Sequence, residues 1–277
     1  MPFPTLLLPL LLQVGPSGAL PQAPLPDRHS REAPTPANRS TRLQDCLDIA
    51  MQRPADAIEL AEDWLAEAKT MTGRAQAKQC KALALTRSDG WGEAAGLFLA
   101  ARDDTPAHES GERARLGALG GNALIASEDM TGALAALDTA RADANQSGDA
   151  KLGAAIQIDR ARALVALDRP GDAAAALKEA RELDPGSAQA WLLSATLSRR
   201  MDKLTDAQAQ IQRAAELMPV DAQVGLEAGV IAMLSGREPA ARKSWQSVIK
   251  VAPGSEAAKT AQGYLDQLGP EAAQPNP

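Results

Sequence analysis

Small and large apolar residues recur along the C-terminal half of the chain at fixed distances from Pro185, Pro219 and Pro253, which stand 34 residues apart. Five places before each proline lie Ala180, Ala214 and Val248, eight before it Leu177, Ile211 and Trp245, and twelve before it Ala173, Ala207 and Ala241. Ala161, Ala195 and Gly229 precede their prolines by 24 places. Within one period the apolar places follow a helical rhythm twice over. Ala161, Leu164 and Val165 mark one stripe, Asp168-Arg169-Pro170-Gly171 interrupts it, and Ala173, Leu177 and Ala180 mark a second, for which Asp172 is the expected N-cap. The small residues let the two backbones approach, and Leu164 and Leu177 fill the space beside that contact. Pro185 ends the pair, because the residue before a proline is pushed out of the α region. A period of this length built from helix pairs predicts an all-α solenoid.

The C-terminal units, with Trp191, Ala195, Ala207, Ile211, Ala214 and Pro219 in one and Gly229, Ala241, Trp245 and Pro253 in the next, resemble the tetratricopeptide repeat family. Upstream, Ala82, Leu85, Ala94, Phe98, Ala101 and Pro106 fall in the same frame. So do Gly121, Leu124, Ala133, Leu137 and Ala140, although Asn145 stands where the proline belongs. Leu47, Ala57, Ala61 and Trp64 mark a degenerate first unit. The reading is six repeats, 38–74, 75–113, 114–153, 154–187, 188–221 and 222–255, with 256–268 as a C-terminal capping helix and 38–268 as one repeat domain. The resemblance implies a right-handed superhelical solenoid of antiparallel helix pairs whose first helices line a concave groove for a protein or peptide ligand. It concerns architecture and mode of binding, not the identity of the partner.

Composition agrees with close helix packing. The chain is 45% hydrophobic but only 3% aromatic, so Ala, Leu, Ile and Val must build the core. A formal net charge of −6 argues against nucleic acid and against adhesion to a membrane through a polybasic patch. The leucine run from Leu6 to Leu12, followed by Ser17-Gly18-Ala19, reads as a signal peptide over 1–19, too short to span a bilayer and lacking an early basic residue. The competing reading is a disordered start. Residues 20–37, rich in proline, read as a linker, and 269–277 as a disordered tail. A cleaved signal places the protein in the periplasm or outside the cell, with no membrane insertion after cleavage.

Cys46 and Cys80, the two cysteines, occupy first helices of adjacent units 34 residues apart. Two readings stand for them: a disulfide, expected where an exported protein brings thiols into contact, and a pair of buried thiols acting as small apolar residues. A zinc site is a poor third, since no histidine has suitable spacing.

Catalysis has little to draw on, and no cofactor or metal is expected. His29 lies in the linker and His108 in a loop between units. Gly117, Gly120 and Gly121 follow no strand and precede no Lys-Ser/Thr, so they read as helix-packing positions and not as a phosphate loop. Asp103-Asp104 and Glu128-Asp129 read as solvated carboxylates at helix ends.

The groove carries the functional expectation. One place after each small first-helix residue stand Leu83, Asn122, Arg162, Thr196 and Val230; four places earlier stand Gln79, Ala118, Ile158, Leu192 and Leu226; Gln76, Gln189 and Gln223 begin their units. Gln79, Asn122, Arg162, Gln189, Leu192, Thr196, Gln223 and Val230 are the partner-binding candidates, the long amides being suited to an extended peptide backbone. The competing reading joins Asn122 and Arg162 to neighbouring helices and puts Leu192, Leu226 and Val230 in the inter-repeat core. Gln79 and Leu83 replace the lysine and asparagine of the clamp that chaperone-binding members use, so an acidic chaperone C-terminus is not the expected ligand. The leading expectation is a non-catalytic adaptor of the cell envelope. The alternatives are an accessory subunit that recruits substrate for an enzyme on another chain, and a cytoplasmic scaffold. Sequence leaves the oligomeric state open.

Overall fold

The computed structural model describes residues 41–270. The segments read as a signal peptide and a linker, and the part of the expected tail beyond Pro270, lie outside the described residues. Those described form helices and the turns between them. The first helices of the units are α1 (Thr41–Gln52), α3 (Met71–Thr86), α5 (Ser110–Ala126), α7 (Ala150–Ala166), α9 (Ala188–Arg200) and α11 (Ala222–Leu234). Their second helices are α2 (Pro54–Glu67), α4 (Trp91–Asp104), α6 (Met130–Ser147), α8 (Pro170–Leu183), α10 (Leu204–Leu217) and α12 (Glu238–Val251), and α13 (Glu256–Leu268) closes the series. The array is a right-handed solenoid of antiparallel helix pairs with a terminal cap.

The small residues in the core let helices close on one another. Ala161, Ala173 and Ala180 pack with Leu164 and Leu177 in one cluster, and Ala195, Ala207, Ile211 and Ala214 in the next, all buried. The core is a series of such clusters, each shared by successive helices, as expected where every unit covers its neighbour. Gly117, Gly120 and Gly121 of α5 serve the same purpose. A Cβ at Gly120 would lie 2.7 Å from Leu99 of α4, while Gly117 and Gly121 face Ala140 and Leu137 of α6.

Turns within units share one device. Asp89, Glu128, Asp168 and Asp202 take left-handed backbone with φ of 58°, 64°, 55° and 58°, and Gly236 takes 72°. Asp tolerates that region better than most residues do, which explains its use here. Between units the prolines act as read: α8, α10 and α12 end two residues before Pro185, Pro219 and Pro253. Where Asn145 replaces the proline, α6 instead runs on to Ser147 and ends at Gly148, φ 70°.

Three boundaries differ from the sequence reading. The divisions at 74/75, 113/114 and 153/154 fall four residues inside α3, α5 and α7, which begin at Met71, Ser110 and Ala150. For two of these the cause is an N-cap: Thr70 accepts the Gly73 amide and Asp149 accepts the Leu152 amide, so the helix starts one turn early. Asp172 is not a cap either. It sits in the first turn of α8 behind Pro170 and accepts the Arg169 guanidinium at 2.7 Å. Gly269, assigned to the tail, ends α13: its carbonyl and that of Leu268 accept from Arg242, which holds the cap to α12.

The cap is itself the first helix of an unfinished unit. Gly263 follows Gly229 by 34 residues, yet nothing lies within 4 Å of a Cβ built on it. Lys259, Thr260, Gln262 and Asp266, on the side a second helix would cover, are polar and exposed. Such a solvated face is what ends a repeat array.

Candidate functional site

The site is built on the first helices, which line the inner face of a solenoid of this kind. Residues at equal places in successive units form rows along it, and the structure divides the eight candidates by burial. Gln189 and Gln223 are exposed near the starts of α9 and α11, and Thr196 is half-buried in α9. Gln79 is 4% exposed, so its amide is not free to meet a peptide. Leu192 and Val230, both half-buried, pack against the clusters of units five and six and present only part of their surface. Helix spacing defined the rows, and burial gives their depth.

Asn122 and Arg162 meet at a residue the sequence reading passed over. Asp159, on α7, is buried at 8% exposure; Arg162 donates through Nη1 to its Oδ1, and the Asn122 side chain on α5 hydrogen-bonds it as well. Burial raises the pKa of Asp159, while Arg162 and Asn122 pull it back. Its signal was present as another row. Asp159, Leu193 and Glu227 follow one another at steps of 34, and the corresponding place in units one and two is held by Cys46 and Cys80. This row joins adjacent first helices. A disulfide links Cys46 of α1 to Cys80 of α3 with Cα atoms 6.0 Å apart, Asp159 ties α7 to α5, and Glu227 of α11 takes Arg199 of α9 at 2.7 Å.

This arrangement alters what the candidate substitutions do. Replacing Arg162 or Asn122 by alanine removes a partner from a buried carboxylate, so a cost of roughly 1–3 kcal/mol is expected where a free groove residue would have cost almost nothing. The pH dependence has a definite sign. A carboxyl whose folded pKa exceeds its unfolded one takes up its proton first in the folded state, so its contribution to stability falls as pH rises from the ordinary aspartate range through the raised value. The difference in unfolding free energy between the native chain and Asp159→Asn, followed by urea melts across that window, should carry this fall. A difference that stays flat, or rises, would show that Asp159 is not held as described.

The remaining polar groups support the fold. Asp104, expected to be solvated, is drawn into the α3–α4 contact by Lys78 at 2.8 Å. His108 is exposed on its loop, and His29 lies outside the described residues. Among the described residues no group of three His, Cys, Asp or Glu side chains is placed to hold a metal ion, and no helix is long and apolar enough to cross a membrane.

Residues 154–197 match the family model of the tetratricopeptide repeat. Among solved structures the fold is shared with PilW, a widely conserved type IV pilus biogenesis factor, at 19% identity and a TM-score of 0.64, covering 81% of this chain and 100% of that one. PilF of Pseudomonas aeruginosa gives 14% identity and a TM-score of 0.63 over 81% of this chain and 96% of its own. YrrB, described as a TPR protein with an unusual peptide-binding site, gives 19% and 0.51 over 74% and 99%. No curated protein matches the chain. Residues 154–197 thus carry a tetratricopeptide repeat, and the helix pairs with their 34-residue frame give the array the fold of tetratricopeptide repeat proteins.

Proposed function

We propose that the protein is a non-catalytic adaptor of the cell envelope or periplasm that holds a protein or peptide in the groove lined by its first helices. The observation that carries this reading is the row Asn122, Arg162, Thr196 and Val230, which places side chains of different chemistry at one level of four successive first helices, α5, α7, α9 and α11. A row of that kind can read a ligand residue by residue, whereas a catalytic site needs its groups to converge. The envelope setting draws on two supports: the leucine run and small residues at 1–19, and the shared fold of PilW and PilF, one of them described as a pilus biogenesis factor. Removal of 1–19 would leave Leu20 as the first residue of the mature chain.

Two measurements test the reading together. Intact mass of the protein from its natural host should correspond to a start at Leu20. A photo-reactive side chain at Thr196 should cross-link a protein in intact cells, and the same probe at Gln212 on α10 should not. A chain that keeps Met1 and stays in the soluble cytosol would overturn the envelope assignment. Equal cross-linking from the two positions would overturn the groove.

A further inference from the structure

Directional contacts tie each unit to the next at every junction but one. Cys46–Cys80 joins units one and two, and Lys81 of α3 reaches Glu62 of α2 at 2.8 Å. Arg102 of α4 holds Asp143 of α6 at 2.8 Å across units two and three. Units three and four share the Arg160–Asp138 pair and the hydrogen bond between Asn122 and Asp159. Arg199–Glu227 joins units five and six, and Arg242 holds the cap by its last two carbonyls. Between units four and five, among the described residues, no ion pair or hydrogen bond joins α7 or α8 to α9 or α10.

The helices show the same gap. Along the inner face α1 lies against α3, α5 against α7 and α9 against α11, whereas α3 hardly approaches α5 and α7 hardly approaches α9. Units two and three are held on the other side, where α4 lies along α5 more extensively than any other second helix along the first helix after it; α8 and α9 meet far less. Only between units four and five do both weaknesses coincide. The row of ties explains it, because 34 residues before Arg199 and Glu227 stand Val165 and Leu193, both half-buried and apolar.

What crosses this junction fixes no angle. Ala190, Leu193 and Leu197 of α9 rest on the apolar cluster of α7 and α8. Trp191 donates through Nε1 to the Pro185 carbonyl in the connecting turn and has the Arg181 guanidinium of α8 over its ring at 4.6 Å. Asp206 of α10 attracts Arg181 without forming an ion pair with it. Apolar burial is non-directional, and a cation over a ring face is held by its distance from the ring, so both contacts keep the helices together while letting them turn.

We propose that the α8–α9 junction is a hinge: 41–183 and 188–270 are two blocks, each tied within itself, that turn against one another about the apolar seam of Val165, Leu193 and Trp191. The hinge needs no ligand. On the groove reading it sets the spacing between Arg162 of α7 and Thr196 of α9, and so the width of the surface offered to a partner.

Nitroxide label pairs on the purified chain, read by double electron–electron resonance, test this with nothing bound. Cys46 and Cys80 are bonded and fully buried, so only introduced cysteines react. Lys178→Cys with Gln246→Cys spans the proposed hinge. Ala66→Cys with Thr139→Cys, and Gln212→Cys with Gln267→Cys, span tied junctions only, and all these positions are exposed. The first pair should give a distance distribution about twice as broad as either control, as expected where one block turns against another. Exchanging the two residue pairs should move the hinge. Val165→Arg with Leu193→Glu copies the Arg199–Glu227 pair one unit earlier and should narrow the first distribution to the width of the controls. Arg199→Val with Glu227→Leu does the reverse and should broaden the Gln212–Gln267 pair. Replacing an ion pair with apolar residues of similar size is often neutral for stability, so this second variant decides the matter where the first fails to fold. A first pair as narrow as the controls in the native chain would overturn the hinge. So would a folded Val165→Arg/Leu193→Glu that stays broad, or a folded Arg199→Val/Glu227→Leu that stays narrow. The groove stands or falls separately, on the cross-link at Thr196.

Discussion

Gly229→Ala is expected to destabilise the array, and Gly263→Ala, at the same place one unit later, is expected to stabilise it. In a helix interior, alanine is favoured over glycine by roughly 0.5–1 kcal/mol, so backbone entropy alone would make both substitutions beneficial. Packing decides otherwise at Gly229. A Cβ there would stand 2.2 Å from Nε1 and 2.5 Å from Cδ1 of Trp245, a ring that is only 3% exposed. The ring has little room to withdraw, since its Nε1 donates to the Leu226 carbonyl at 3.2 Å and its face meets Tyr264 at 5.0 Å. Overpacking of this kind costs about 1–3 kcal/mol, which exceeds the entropic gain. At Gly263 no atom lies within 4 Å, so only the gain remains. Urea melts of the two variants give the comparison. Destabilisation by both would mean that the cap packs against something its exposed polar face does not suggest.

That pair of glycines also shows where sequence reading was strong. Spacing marked Gly229 as a small, close-packed place and made 256–268 a cap, because a solenoid repeats its contacts with its residues; that Gly229 meets Trp245, where the small-residue pairing had set Ala241, is read from the structure. The prolines located helix ends because the chemistry that stops a helix is local. Starts were harder. α3 and α7 gain a turn from Thr70 and Asp149, short polar side chains that the apolar pattern does not register. The rows of first-helix candidates were legible and their depth was not: Gln79 and Asn122 lie in neighbouring rows, yet one is buried and the other exposed. Asp159 escaped because its row changes chemistry from unit to unit, through cysteine, leucine, aspartate and glutamate, so no residue type recurs to mark it. Position, and not identity, is what that row conserves within the chain.

Loss of the Cys46–Cys80 bond should be felt by the first unit and hardly elsewhere. The bond closes a separation of 34 residues, for which chain-entropy arguments give roughly 3–4 kcal/mol. Both residues are fully buried among Leu43, Ala50, Ala57, Ala61 and Trp64, so removing the sulfurs also takes apolar volume from the cluster. Among the described residues α1 has a neighbouring unit on one side only, and it joins α2 through the single residue Arg53, without the left-handed turn residue found within each of the next five units. Nearest-neighbour contacts carry the stability of such an array, so opening at this end has no direct route to units three to six. Hydrogen exchange on Cys46→Ala/Cys80→Ala should therefore show amides of α1 and α2 losing protection by two or more orders of magnitude, at about 1.4 kcal/mol per order, while α7 to α12 exchange as before. Thiol counting on unfolded protein from an oxidising compartment provides the chemical control, with no free thiol expected. Two free thiols there would remove the covalent contribution. Uniform loss of protection from α1 to α13 would show that the array unfolds as one cooperative body, and that the bond stabilises every unit and not the first alone.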